Sequence, residues 1–282
     1  AVLPSLVRPE DLGGSISLNS ASVNGSRVTG PILAALMMSW GVTAGQVFIF
    51  NAVTYLFVTW AVLRITIPPT LPRKEHGLQS FTAGFRIARE RKTIGRMLLS
   101  MSSFSLLCLP FVGLFPAVAD LAFGIEPKTV TYKWLYATWG TGALVGALAI
   151  GTVLAPFDKR TLTRRGFLAF AISMIAFASV RGTPLAFITG FFLGVAYFGT
   201  TTSMMTVFQS RLEVEIRARV MALWFMAFGG TIPLGNAIFG PVMDAIGARP
   251  VLYLGAAWAL FLAWWCDIEK LDRKLDSKPQ SL

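Results

Sequence analysis

Residues 11–41 read DLGGSISLNSASVNGSRVTGPILAALMMSWG. Ser17, Ser20, Asn24 and Arg27 are spaced three, four and three apart, so they share one face of a helix. The stretch carries only Asp11 and Arg27 as charges and is long enough to cross a bilayer. A polar stripe on such a helix must turn toward other helices or a wet cavity. Arg27 lies about 22 Å along the helix at 1.5 Å per residue, too deep to be a terminal anchor. An arginine there reads as a cavity or gating residue, or as the partner of a carboxylate or helix end elsewhere in the protein. Gly30-Pro31 follows at once. Pro removes a backbone donor and Gly permits close approach, so the helix kinks or packs tightly here.

The composition points the same way. Of the 282 residues, 54% are hydrophobic and 14% are charged, and the mean hydropathy is +0.63. Soluble domains carry about 25% charged residues, so the solvent for this chain is lipid. The net charge of +11 and pI of about 10.2 raise the question of nucleic acid. The basic residues flank apolar runs instead of forming a stripe, which excludes that partner. Cys108 and Cys266 sit in separate apolar runs and His76 is the only histidine, so neither a disulfide framework nor a metal site is expected, and no cofactor is implied. The chain starts at Ala1 without a signal-peptide pattern, and its natural start is expected elsewhere.

Eight apolar runs fit spanning helices, near 12–38, 42–64, 95–123, 130–157, 166–181, 184–210, 220–244 and 249–267. The fifth is short, and the Arg181-Gly182-Thr183-Pro184 turn predicts a tight hairpin with the sixth. Orientation follows from the 25 Lys and Arg residues. Only Lys128, Lys133, Arg181 and Arg249 fall on one side, and Arg27 lies within a helix. All the others sit in Arg8, the 64–96 linker, the 159–165 and 211–219 loops and the C-terminal tail. The basic side is cytoplasmic by the positive-inside rule, and an even number of spans returns both ends to it.

The linker contains LQSFTAGFRIARERK, in which Leu78, Phe81, Phe85 and Ala88 recur at helical spacing beside Arg86, Arg89, Arg91 and Lys92. This predicts an amphipathic helix on the cytoplasmic leaflet, joining two bundles. Placing Gly41 over Gly247 lays the helices of 12–64 over those near 218–267. A parallel repeat of six helices, and a parent chain of about twelve spans, would follow from that match. The domain plan is therefore 1–66 as the last two helices of an N-terminal bundle, 67–93 as linker, 94–268 as a C-terminal six-helix bundle and 269–282 as a cytoplasmic tail.

On LPSLVRPEDLGGSISLNSASVNGSRVTGP at the start, FNAVTYL at 50–56 and RARVMALWFMAFGGTIPLGNAIFGPVMDAIGAR at 217–249, the chain resembles the major facilitator superfamily, in its branch of enterobactin-exporter-like transmembrane secretion effectors. The resemblance starts just before the family's fifth helix. It implies an all-α membrane fold of twelve helices, about eight of them present here, with a central cavity and alternating access. It also implies export that is usually proton-driven. Gly30-Pro31 corresponds to a motif associated with antiporters, with Ala34-Ala35 where small glycines usually follow. The family's loop motif is degraded from Gly151 through Asp158 to Arg164-Arg165. Gly240, Asp244, Gly247 and Arg249 are a cleaner echo, with Asp244 placed to pair with a neighbouring helix and bias two states.

The expected cavity or gate draws on Arg27, Asn24, Ser20, Asn51, Ser103, Tyr197, Thr201 and Asn236, with Tyr55, Ser102, Ser105, Tyr136, Thr200, Ser203 and Gln209 as further polar residues inside spans. Hydroxyls and amides among Phe, Trp and Met suit an amphipathic organic substrate, although each is also ordinary glue between helices. The Gly142/Gly146 and Gly190/Gly194 spacings predict close helix packing. Proton coupling needs a titratable group near mid-membrane. The acids Asp120, Asp158 and Asp244 sit at helix ends, so the proton carrier lies outside this stretch or Asp120 acts from a wetter position. The partners expected are a lipid bilayer, a small molecule and a proton, for a monomer in a bacterial-type cytoplasmic membrane. An intramembrane enzyme would need a catalytic motif, yet no HExxH, G-x-S-x-G or paired aspartates occur at membrane depth. An ATP-driven permease would need a separate nucleotide-binding subunit, and a non-transporting sensor or scaffold stays open as an alternative.

Overall fold

A computed structural model of the chain describes residues 33, 37, 40–64, 78–268 and 270. The chain divides into two compact units, Ala1–Glu75 and His76–Leu282. In the first, α1 spans Ala44–Arg64. Its start is a capping box: the Thr43 N–H donates to Gln46 Oε1 at 2.9 Å and the Gln46 N–H to Thr43 Oγ1 at 3.4 Å. Gly41 precedes it at φ +85°, a conformation that a Cβ would strain. Apolar residues cover α1 all round, from Phe48 and Ile49 to Tyr55 and Trp60, as suits a helix among lipid and other helices.

The second unit is helical throughout its described residues. It contains α2 (Leu78–Glu90), α3 (Lys92–Cys108), α4 (Pro110–Gly113), α5 (Phe115–Phe123), α6 (Val130–Gly151) and α7 (Lys159–Ser179). These are followed by α8 (Thr183–Ser210), α9 (Val214–Phe225), a π-helical turn (Met226–Gly230), α10 (Thr231–Ile246) and α11 (Ala248–Trp265). With α3–α5 and α9–α10 each forming one interrupted rod, the packing runs α6 on α8, α8 on α7, α7 on α11, α11 on α3, and α3 on the π turn and α10. By length and hydropathy alone, the helices Gly45–Arg64, Lys159–Ser179, Thr183–Ser210 and Arg219–Ile246 can cross a membrane.

Three expectations about the runs are corrected. The run 95–123 is three helices, because Pro110 and Pro116 each lack the N–H that would continue the ladder. The run at 166–181 is not short. Asp158 caps the helix by accepting from the Arg160 N–H at 2.9 Å, so Lys159–Arg165 form its first turns and not a loop. Residues 214–219 of the expected 211–219 loop likewise open α9. Hydropathy registers the apolar part of a helix and misses its charged ends.

The α6–α8 contact is backbone on backbone. A Cβ on Gly142 would land on the Phe191 carbonyl, one on Gly146 on the Val195 carbonyl, and one on Gly194 on the Trp139 carbonyl. Gly166 brings α7 onto Thr200 of α8, where an added Cβ would lie 2.6 Å from Thr200 Oγ1. Lipid tails are as apolar as leucine, so close packing of this kind replaces the hydrophobic drive of soluble bundles. Around it lie Phe104, Phe111, Phe115, Phe167, Phe170 and Phe177, all buried, with Phe104 edge-on to Phe167 and Phe170 at 5.2 and 4.9 Å. Outward faces expose Trp134, Ile172, Ile188, Phe192 and Leu234. Such a surface needs lipid against it.

The contacts at each end join loops that the charge pattern had placed on the same side. Arg91 pairs with Glu213 at 2.9 Å, Arg164 with Asp267 at 3.3 Å, and Arg96 lies over Trp265 at 4.6 Å. At the opposite end Arg249 bonds the carbonyls of Ala122 and Val180. The Gly247 turn has φ +86°.

Replacing Gly194 with Leu is expected to destroy the α6–α8 contact and leave no monodisperse protein in detergent. Gly140→Ala, where nothing lies within 4 Å of the added carbon, is expected to melt within about 1 °C of wild type, since surface changes are usually energetically small. Fluorescence-detected size exclusion and thermal melting check both.

Candidate functional site

Two rods of the second unit are interrupted, and the interruptions meet. Pro110 cannot donate to the Leu106 carbonyl one turn earlier. Gly235 of α10 comes onto that same carbonyl, 2.6 Å from where its Cβ would be, and onto Pro110 Cγ at 2.9 Å. Next to it the Asn236 amide lies against Gly113, and its Oδ1 is buried without a hydrogen-bond partner. One turn or more back on the same rod is the π segment Met226–Gly230, a wider turn often found at functional positions. Its Phe228 carbonyl accepts from Ser105 Oγ, across from α3. Thr231 Oγ1 donates to Ala227 O at 2.9 Å and approaches Ser102 O at 3.4 Å. Two hydroxyls thus bond backbone carbonyls of the π segment, that of Ser105 from a neighbouring helix.

Of the residues expected from sequence, Ser20, Asn24, Arg27, Gly30 and Pro31 lie outside the described residues. Asn51 is exposed on α1. Ser103 and Asn236 are both half-buried on the rods that meet at the break, whereas Tyr197 and Thr201 lie apart on α8. Several hydroxyls are used within their own helices: Ser103 donates to Ser100 O at 3.2 Å and Thr201 to Tyr197 O at 3.1 Å. Tyr197 is buried and stacked on Trp139 at 6.1 Å. That pair continues to Tyr136, Phe115 and Phe111 in one aromatic cluster, with the Trp139 indole N–H buried and unpaired.

Asp120 is exposed on α5, and Gly240 makes an ordinary contact with Leu114. Asp244 is exposed and makes no ion pair among the described residues. Gly247 ends α10 by donating to Met243 O at 2.8 Å. Arg249 donates from Nη2 to Ala122 O at 2.8 Å and to Val180 O at 2.9 Å, tying the C-terminal ends of α5 and α7 to α11. At the basic end, the hydrogen bond from the Arg160 side chain holds the Asp158 carboxyl below the usual carboxylate range, helped by the Arg160 N–H and the charges of Arg160 and Arg211. Among the described residues no group of His, Cys, Asp and Glu is arranged to hold a metal. The π segment and its hydroxyl partners were missed in sequence; Gly229-Gly230-Thr231 in mid-span was the available signal.

The family described as transmembrane secretion effector matches residues 1–280. The enterobactin exporter EntS of Escherichia coli O1:K1 is 25% identical over 256 residues, covering 88% of this chain and 58% of the exporter. EntS of Shigella boydii serotype 18 is 25% identical over 252 residues with the same coverage. The chain therefore spans 58% of the length of these relatives. It belongs to the transmembrane secretion effector family of the major facilitator superfamily, and is a multi-pass membrane protein.

Two substitutions probe this geometry. Arg249→Gln should cost about 1.5–3 kcal/mol, the worth of hydrogen bonds to a charged group, seen as a lower melting temperature than Arg181→Gln at the same end. Ser105→Ala should cost about 1 kcal/mol by removing the hydrogen bond between α3 and the π turn, read from the same melts.

Proposed function

We propose that this transmembrane secretion effector exports a small amphipathic molecule (a siderophore, drug or metabolite) across the bacterial cytoplasmic membrane by alternating access, in exchange for protons and as a monomer. The observation that carries the reading is the family match over residues 1–280, to a family whose matched relatives are named as exporters. It is supported by Arg27 at membrane depth and by two adjoining interrupted helices in the second unit. Interrupted helices at that depth are tolerated where they are buried in protein or line a cavity, and transporters use them for binding and hinging.

In this reading Arg27 holds an anionic or polar group of the substrate, or pairs with the acid that carries the proton. Ser20, Asn24, Asn51, Ser103, Tyr197, Thr201 and Asn236 supply further polar or aromatic contacts. Gly30, Pro31, Gly240, Asp244, Gly247 and Arg249 set the relative stability of inward- and outward-open states. Asp120 is the proton-carrying candidate within this chain. The family does not accommodate the alternative of an intramembrane enzyme.

Arg27→Ala is expected to abolish export while leaving the protein in the membrane at normal abundance. Uptake into inverted vesicles, with and without a proton gradient, measures it. Wild-type transport by the variant refutes the role of Arg27, and transport unaffected by collapse of the gradient refutes proton coupling.

A further inference from the structure

At the basic end of the second unit, the start of α7 and the end of α8 enclose an open groove of about 330 Å³, lined by Asp158, Lys159, Arg160, Thr206, Val207, Ser210 and Arg211. Three cations surround one carboxylate. Lys159 donates to the carbonyls of Leu154, Ala155 and Phe157 at 2.8, 2.8 and 3.0 Å. Those acceptors are neutral, so the ammonium is fixed in place while its charge stays uncompensated. Asp158 is held by Arg160 through Nη2 at 2.8 Å and Nε at 3.0 Å. The groove therefore keeps the positive charge of Lys159 beside the two arginines. Thr206 and Ser210 donate to Thr202 O and Val207 O in their own helix, both at 2.8 Å, which leaves recognition of a ligand to the cations.

The surroundings are amphipathic. The turn leading into the groove exposes Val153 and Phe157. Along α7, Arg160, Arg164, Leu168 and Ile172 follow at four-residue spacing and so share a face. Its charged first turns thus pass into exposed apolar residues, with Leu168 and Ile172 45% and 58% exposed. This is the sequence of environments that a phospholipid presents, phosphate first and acyl chain beneath. Basic pockets between membrane helices on the cytoplasmic side favour anionic headgroups.

We propose that this groove binds the phosphodiester headgroup of an anionic inner-leaflet phospholipid, with an acyl chain along Leu168 and Ile172. The site requires residence in a bilayer and does not depend on what is transported.

The test is native mass spectrometry of the full chain taken from nanodiscs of equal phosphatidylglycerol and phosphatidylcholine, with thermal melts in detergent. Wild type should retain phosphatidylglycerol in preference to phosphatidylcholine, and Arg160→Gln/Arg211→Gln should lower that preference by about tenfold. Arg181→Gln, at the opposite end, should leave it unchanged. Asp158→Asn keeps a capping side chain and removes the one negative charge, so it should raise the preference even if the double variant fails to fold. Equal retention of the two lipids by wild type, an unchanged double variant, or no rise with Asp158→Asn overturns the proposal. So does protection against melting by sodium phosphate equal to that by phosphatidylglycerol, which would mark a free-anion site.

Discussion

Inside a bilayer a backbone carbonyl or amide that leaves its helix finds no water, so each break must come with its own substitute partner. That constraint accounts for where the polar side chains of this protein are used. Ser105 serves the Phe228 carbonyl in the π turn, Thr231 the Ala227 carbonyl, and Arg249 the helix ends at Ala122 and Val180. Of these, Ser105 was also among the polar residues that the sequence places inside spans, and its hydroxyl is used between two helices. The Asn236 Oδ1 beside the break and the Trp139 indole N–H are buried without such a partner.

The same medium explains the packing. With lipid outside, apolar burial gives little preference for helix over lipid contact, and stability rests on how closely backbones approach. Gly142, Gly146 and Gly194 let α6 and α8 touch main chain to main chain, and Gly166 makes room for Thr200 between α7 and α8. By contrast, the α3–α10 contact is built on a proline break and a π turn. The bundle thus holds one pair of helices packed backbone on backbone and one pair packed across interruptions.

Electrostatics separates the two ends. The basic end carries cross-helix pairs such as Arg91 with Glu213 and Arg164 with Asp267, each partly exposed and individually worth about 0–1 kcal/mol. Their larger effect is on orientation and on the lipids they meet. The opposite end has few cations, and Arg249 there is bonded to carbonyls and not to a carboxylate.

Composition, the spacing of apolar runs and the placement of Lys and Arg determined by themselves that this is a multi-pass helical protein, which ends are basic, and where the linker helix lies. These follow from hydropathy and charge, which are properties of the residues alone. The Gly142/Gly146 spacing of α6 was legible too, whereas of the Gly190/Gly194 pair only Gly194 meets backbone and Gly190 faces the Phe177 ring. Only the tertiary structure decided that the run 95–123 is three helices docked on a π turn, and that Arg160 is folded back onto Asp158. It also decided that Ser103 and Thr201 bond to their own helices. The local bonds depend on which rotamer each side chain takes in its packed surroundings, and a bond such as that of Ser105 to the Phe228 carbonyl joins partners over a hundred residues apart and leaves no periodicity in the sequence to read.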